Sequence, residues 1–247
     1  MPSVAVIIPA AGQSSRFGGR EKKPFASLDG RPIWQRSAEL FWTRDDVSKV
    51  YLVIAPHDRD EFRTRFAHLI AFANAEVVDG GQERFDSVAN ALARIPESVD
   101  LVAVHDAVRP LGTTALVDAV VNAAAKCGAA MLAIPVADTL KRVDAATQRI
   151  VGTIDRAGLW QAQTPQVFRR DWLVEAYARR GEFPGSITDD AQLVEALGHS
   201  VTVVPGSPMN FKITTREDLD LAEAIVKRRI AKPVERPALG FSEEAKW

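Results

Sequence analysis

Short apolar runs rich in β-branched residues recur along this chain: VAVIIPA at 4–10, KVYLVIA at 49–55, EVVDGG at 76–81, LVAVHDA at 101–107, AAMLAIPV at 129–136 and SVTVVPG at 200–206. Between them lie amphipathic helical patterns, among them RPIWQRSAELFW, RDEFRTRFAHLIAF, ERFDSVANALARI and TTALVDAVVNAAAKC. Continuously apolar strands need cover on both faces, and alternation with helices supplies it. The expected fold class is therefore α/β, a doubly wound, mostly parallel sheet.

The rhythm breaks at about 137–158. DTLKRV and RIVGTID, joined by the polar turn DAATQ, predict a β-hairpin. A lone two-stranded hairpin is marginal in water, so it is expected to protrude as an arm and pack on something such as a second subunit. A final helix, TREDLDLAEAIVKRRI, opens with a capping box of Thr215 and Asp218. The expected organisation is one domain over 1–230 with the arm inserted at 137–158, then an irregular tail at 231–247 rich in Pro and charge.

An apolar share of 47% supports a sizeable core, and a net charge of −1 argues against a general nucleic-acid binder. Anion specificity must come from local clusters. The single cysteine, Cys127, excludes an intramolecular disulfide and reads as a buried small hydrophobe at a helix end. No secretory leader and no apolar stretch of about 18 residues is present, so a soluble cytoplasmic protein without membrane contact is expected.

Ligands of open parallel sheets bind beyond the carboxyl ends of the strands. The unusual segments AAGQSSR, DGGQERFDS, HDAVRP and ADTLKR all fall at that edge. In the first, Ala10, Ala11 and Gly12 allow close approach to backbone amides, and Arg16 and Lys23 add full charges, a combination suited to a polyphosphate. It is neither a Walker loop nor a G-x-G-x-x-G fingerprint. Asp106 is placed to hold Mg²⁺, to orient a sugar hydroxyl or to cap its own turn. Arg109 pairs with it or binds phosphate, and His105 points to the opposite face as a structural residue. Gly80 and Gly81 precede a helix start with Glu83, Arg84 and Ser87, which reads either as a base-recognising turn or as a β-turn into a capped helix.

PAAG…RFG…KP, GGQERFDSV, VHDAVRP, DTLKRV, DRAGLWQAQTPQVF, ITDDAQLVEALG and NFKITTREDL stand in order from residue 9 to 219. Together they resemble the family of cytidylyltransferases acting on 2-C-methyl-D-erythritol 4-phosphate in isoprenoid synthesis by the non-mevalonate pathway, Rossmann-like nucleotidyltransferases. The resemblance implies transfer of CMP from CTP to that polyol phosphate with Mg²⁺ as cofactor. It places the triphosphate on Ala10, Ala11 and Gly12, with Arg16, Lys23 and Lys212 as the catalytic cations. Cytosine would lie against Gly81, Gln82 and Ser87, and the ribose and metal beside Asp106. Arg109, Thr139, Arg156, Thr188 and Lys212 would hold the acceptor, Thr139 and Arg156 reaching into the partner's site of a homodimer with exchanged arms. The chain departs from the family loop at Ser14, in place of a second Gly, and at Phe17, in place of Met.

A phosphate monoester has a second pKa of about 6, so the nucleophile is already largely ionised and no general base is required. Catalysis then rests on positioning and electrostatics. Competing expectations are a ribitol 5-phosphate cytidylyltransferase, an NAD(P)-dependent oxidoreductase on a related fold, and a non-catalytic nucleotide sensor.

Overall fold

A computed structural model describes residues 2–12, 17, 22–183 and 187–231. In chain order its elements are β1 (Val4–Pro9), β2 (Ser27–Leu28), β3 (Arg31–Pro32), α1 (Ile33–Trp42), β4 (Val47–Ile54), α2 (Arg59–Phe72), β5 (Ala75–Asp79) and α3 (Arg84–Leu92). There follow β6 (Leu101–Val104), α4 (Thr114–Cys127), β7 (Ala129–Pro135), β8 (Leu140–Val143), β9 (Ile150–Ile154) and β10 (Trp160–Arg169). The chain continues through α5 (Arg170–Ala178), α6 (Asp190–Ala196), β11 (Thr202–Pro205) and α7 (Arg216–Ala231).

Seven strands form one sheet in the order β11-β7-β10-β6-β1-β4-β5. The side chains of β1 show why it must be central. Val4, Val6 and Ile8 enter one core with Trp34, Phe41, Phe62 and Val120, while Ala5 and Ile7 enter another with Val88, Phe168, Leu173 and Leu193. A strand apolar on both faces is stable only with helices on both sides, here α1, α2 and α4 against α3, α5 and α6. A third cluster joins Phe17, Leu28, Ile33 and Leu111 to Ile213, Leu219 and Val226 around α7. Phe17 is 2% exposed there, with Arg216 4.2 Å over its ring, so a large apolar side chain serves this position whether Phe or Met.

The mostly parallel sheet stands as expected, with one addition. β10 runs antiparallel to both β6 and β7 and separates them. Its run WQAQTPQVFR carries three glutamines and a proline, which hides a central strand from composition. The buried amides are satisfied. Gln163 donates to Ser207 O at 2.9 Å, and Gln166 donates to Asp189 and accepts from the Ala191 amide, each at 3.0 Å.

The chain visits β1, β4 and β5 in one direction, then returns to the other side of β1 for β6. That reversal opens a crevice at the strand ends. β8 and β9 form a separate antiparallel pair with Leu140 opposite Ile154. The capping box of α7 is formed: Thr215 Oγ1 accepts from the Asp218 amide at 3.2 Å and Asp218 accepts from the Thr215 amide at 2.9 Å. Cys127 corrects an expectation. It closes α4 but is exposed, because the helix stops at Gly128 (φ 89°) and its last turn lies beside an open groove. The tail beyond 231 lies outside the described residues.

Candidate active site at the strand ends

Four loops converge on a cleft of about 460 Å³ beyond the carboxyl ends of β1, β4, β5 and β6. The turn after β1 is pinned by Ala10, whose amide donates to Val53 O at 2.8 Å, and the turn after β5 by Gly80, whose amide donates to Ile54 O at 2.8 Å. These turns touch: a Cβ on Gly80 would lie 2.5 Å from that of Ala11. Gly12 is different. Among the described residues no atom lies within 4 Å of where its Cβ would stand.

The start of α3 is locked from three directions. Ser87, 2% exposed, accepts from the Gly81 amide and donates to Glu83 O, both at 3.1 Å. Asp86 accepts from the Glu83 amide at 3.0 Å, and Arg180 ion-pairs with its other oxygen. A Cβ on Gly81 would fall 2.1 Å from the Asp86 Cβ, so this position requires glycine for packing.

Asp106 sits on the cleft floor, 8% exposed. Its Oδ2 faces Lys212 Nζ at 3.1 Å and Arg109 Nε at 3.3 Å, and its Oδ1 faces Arg84 Nε at 3.9 Å. Burial alone would raise its pKa, but Lys212, Arg84 and Arg109 hold the carboxyl well below the usual carboxylate range. Behind it, Thr164 Oγ1 accepts from the Asp106 amide at 3.0 Å and lies 3.1 Å from His105 Nδ1. His105 is wholly buried and packs on Phe41, and burial pushes its pKa down to about 4. It belongs to the scaffold.

The structure brings together Ala10, Ala11, Gly12, Lys23, Gly81, Gln82, Ser87, Asp106 and Lys212 along one cleft. Of the two adjacent lysines, Lys23 lines it while Lys22 pairs with Asp58 and lies 2.7 Å from His57 Nε2. Arg16 and Ser14 lie outside the described residues. Arg109 stands just behind the cleft, donating to Asn210 O at 2.9 Å as well as facing Asp106. Thr139, Arg156 and Thr188 do not line this cleft. Thr139 and Arg156 are exposed beside the β8–β9 hairpin, where Arg156 donates to Ala137 O, and the Thr188 hydroxyl donates to Gln192 Oε1 at 3.1 Å.

The sequence reading gave Arg84 no role of its own. Its guanidinium lines the cleft, and Nη2 donates to Asp190 at 2.6 Å. Nη1 is buried with no hydrogen-bond partner among the described residues. Burial would lower its pKa, but Asp190 and Asp106 keep it above the usual arginine value. The signal was present in the spacing: Arg84 directly follows a glycine turn at a helix start, and Asp190 is an acidic residue at another helix start.

Small-residue backbone, lysines and one buried carboxylate at the switch point of an α/β sheet define a nucleotidyltransferase. The model of the family "2-C-methyl-D-erythritol 4-phosphate cytidylyltransferase" matches residues 4–228, and the chain belongs to that family. It is 44% identical over 236 residues to the protein of that name from Rhodopirellula baltica, covering 91% of this chain and 95% of the relative. The crystal structure of 2-C-methyl-D-erythritol 4-phosphate cytidylyltransferase from Thermus thermophilus superposes with a TM-score of 0.72 at 34% identity, covering 91% and 99%. That of 4-diphosphocytidyl-2C-methyl-D-erythritol synthase from Anaerococcus prevotii gives 0.78 at 28% identity, covering 92% and 99%. These likenesses do not favour the ribitol phosphate, oxidoreductase or sensor readings.

Proposed function

We infer that this chain transfers CMP from CTP to 2-C-methyl-D-erythritol 4-phosphate, releasing pyrophosphate. A phosphate oxygen of the acceptor attacks the α-phosphorus of CTP, the bond to the bridging oxygen of the β-phosphate breaks, and pyrophosphate leaves with that electron pair. The observation that carries this reading is the convergence of the loop after β1, the start of α3, Asp106 and Lys212 on a single cleft.

The triphosphate would lie on the backbone of Ala10–Gly12, with Lys23, Lys212 and Arg16 offsetting the charge that builds up in transfer. Cytosine would meet the Gly81–Gln82 backbone, held in place by Ser87. Arg109 serves the acceptor side by fixing the turn at Asn210 that presents Lys212. The residues fit Mg²⁺ in a limited way. Among the described residues no three His, Cys, Asp or Glu cluster, so Asp106 would hold the ion with phosphate oxygens and water, as Mg²⁺ prefers. Bound there, the ion would neutralise phosphate charge.

The family's acceptor contacts include Thr139, Arg156 and Thr188, which this cleft lacks, and a homodimer with exchanged arms would supply the first two. Support comes from the apolar surface of the hairpin and its base: Ile150 is 63% exposed, Val151 62% and Trp160 45%. A two-stranded hairpin is marginal alone, and apolar side chains exposed on it suit burial against a partner. Among the described residues no helix is long and apolar enough to cross a membrane, and a cytoplasmic location fits the one-cysteine composition.

The test is pyrophosphate release by purified protein with CTP and Mg²⁺, with methylerythritol 4-phosphate and ribitol 5-phosphate in parallel. Release with the first alone is expected. Release only with the second would reassign the acceptor, and silence with both would overturn the reading.

A further inference from the structure

Arg84 opens α3, and Asp190 opens α6 two residues after Thr188. They are 106 positions apart in the chain, yet Arg84 Nη2 donates to Asp190 Oδ2 at 2.6 Å. Asp190 has no solvent exposure, and its other oxygen accepts from the Tyr177 hydroxyl of α5. The same guanidinium presents Nε to Asp106 at 3.9 Å.

Packing does not require a carboxylate at this place. Leu173, Ala176, Leu193 and Val194 already join α5 and α6 to the sheet, and a buried ion pair adds little stability over apolar side chains of similar volume. What the pair supplies is geometry. A planar fork held at Nη2 has its neighbouring donor fixed in direction, and Nε, on the same edge, is turned toward the Asp106 carboxylate on the cleft floor.

We propose that Asp190, assisted by Tyr177, is a positioning residue for nucleotidyl transfer, fixing Arg84 against Asp106 and tying the Thr188 segment to the nucleotide-side helix α3. The proposal rests on the transfer reaction described above. Arg84 is the element touched from both sides: the acceptor-side segment sets its orientation through Asp190, and the nucleotide-side carboxylate meets its Nε.

The experiment is steady-state kinetics of pyrophosphate release for Asp190→Asn, Arg84→Gln, the double variant and Tyr177→Phe, each checked for folding by circular dichroism. Asp190→Asn is expected to lower kcat about tenfold or more with KM for CTP changed less than about threefold, as misplacement of a charged group does. The double variant is expected to be no slower than Arg84→Gln alone, because the two side chains act as one unit. A merely structural Asp190 would lower the melting temperature and leave kcat and this coupling untouched. Unchanged kcat in Asp190→Asn, or effects that multiply in the double variant, would overturn the proposal. Should Asp190→Asn not fold, Tyr177→Phe decides: a roughly threefold lower kcat is expected, and an unaltered one overturns the role. Wild-type protein inactive with methylerythritol 4-phosphate would sink the reaction itself, whereas active wild type with an indifferent Asp190→Asn sinks only this proposal.

Discussion

Lys22 and Lys23 are neighbours in the chain with opposite employment. Lys22 is spent on Asp58 and His57, which anchors the end of the first loop to the turn after β4, while Lys23 enters the cleft. Lys23→Ala should therefore cut kcat at least about 100-fold, the cost of losing one transition-state donor, and Lys22→Ala less than about tenfold. Equal losses in pyrophosphate release would contradict this division. His105 offers a prediction on stability. Its folded pKa of about 4 lies below the unfolded value of about 6.5, so the unfolded state binds the extra proton between those limits. Stability is fully present above about pH 6.5 and declines as pH falls toward 4, by about 3 kcal/mol in all. Urea unfolding at pH 7.5 and pH 5 should show a loss of about 2 kcal/mol from this group, absent in His105→Asn if that variant folds.

At the scale of elements, β10 and the start of α3 do most to shape the site. Each buried polar side chain of β10 anchors a loop: Gln163 the 207–210 turn, Thr164 the Asp106 backbone, and Gln166 the start of α6. A strand read from hydrophobic pattern alone is invisible when its buried positions are Gln and Thr, since their partners are distant in sequence. The start of α3 was legible as a motif, but its two readings are not rivals. The turn is capped by Asp86 and also exposes its backbone to the cleft. Gly81→Ala must push against Asp86, because its Cβ would stand 2.1 Å from that of Asp86 and 3.1 Å from its backbone carbonyl carbon. The expected result is a stability loss of about 1–3 kcal/mol by denaturant titration and a KM for CTP raised about tenfold or more.

For the whole molecule, a net charge of −1 coexists with a cleft floor where Lys212, Arg84 and Arg109 surround one carboxylate. Positive charge is thus concentrated locally, as anion binding by a chain of balanced composition would require. The exchanged-arm dimer is tested by complementation. Lys23→Ala and Arg156→Ala proteins, each nearly inactive alone, should regain about a quarter of wild-type pyrophosphate release after mixing and subunit exchange, since half the dimers then hold one intact site of two. No recovery in freely exchanging dimers would confine Arg156 to its own subunit.

The sequence by itself determined the layered α/β class, most of the helices with the capping box of α7, and the hairpin segment, because apolar period and turn chemistry are local properties of the chain, and its ordered family motifs pointed to most of the cleft residues. Only the tertiary structure decided that β10 divides β6 from β7, that Cys127 is exposed, and that Arg84 stands between Asp106 and Asp190. Each of these depends on which distant segment a side chain meets, and long-range pairing leaves no periodic trace in the residues that make it.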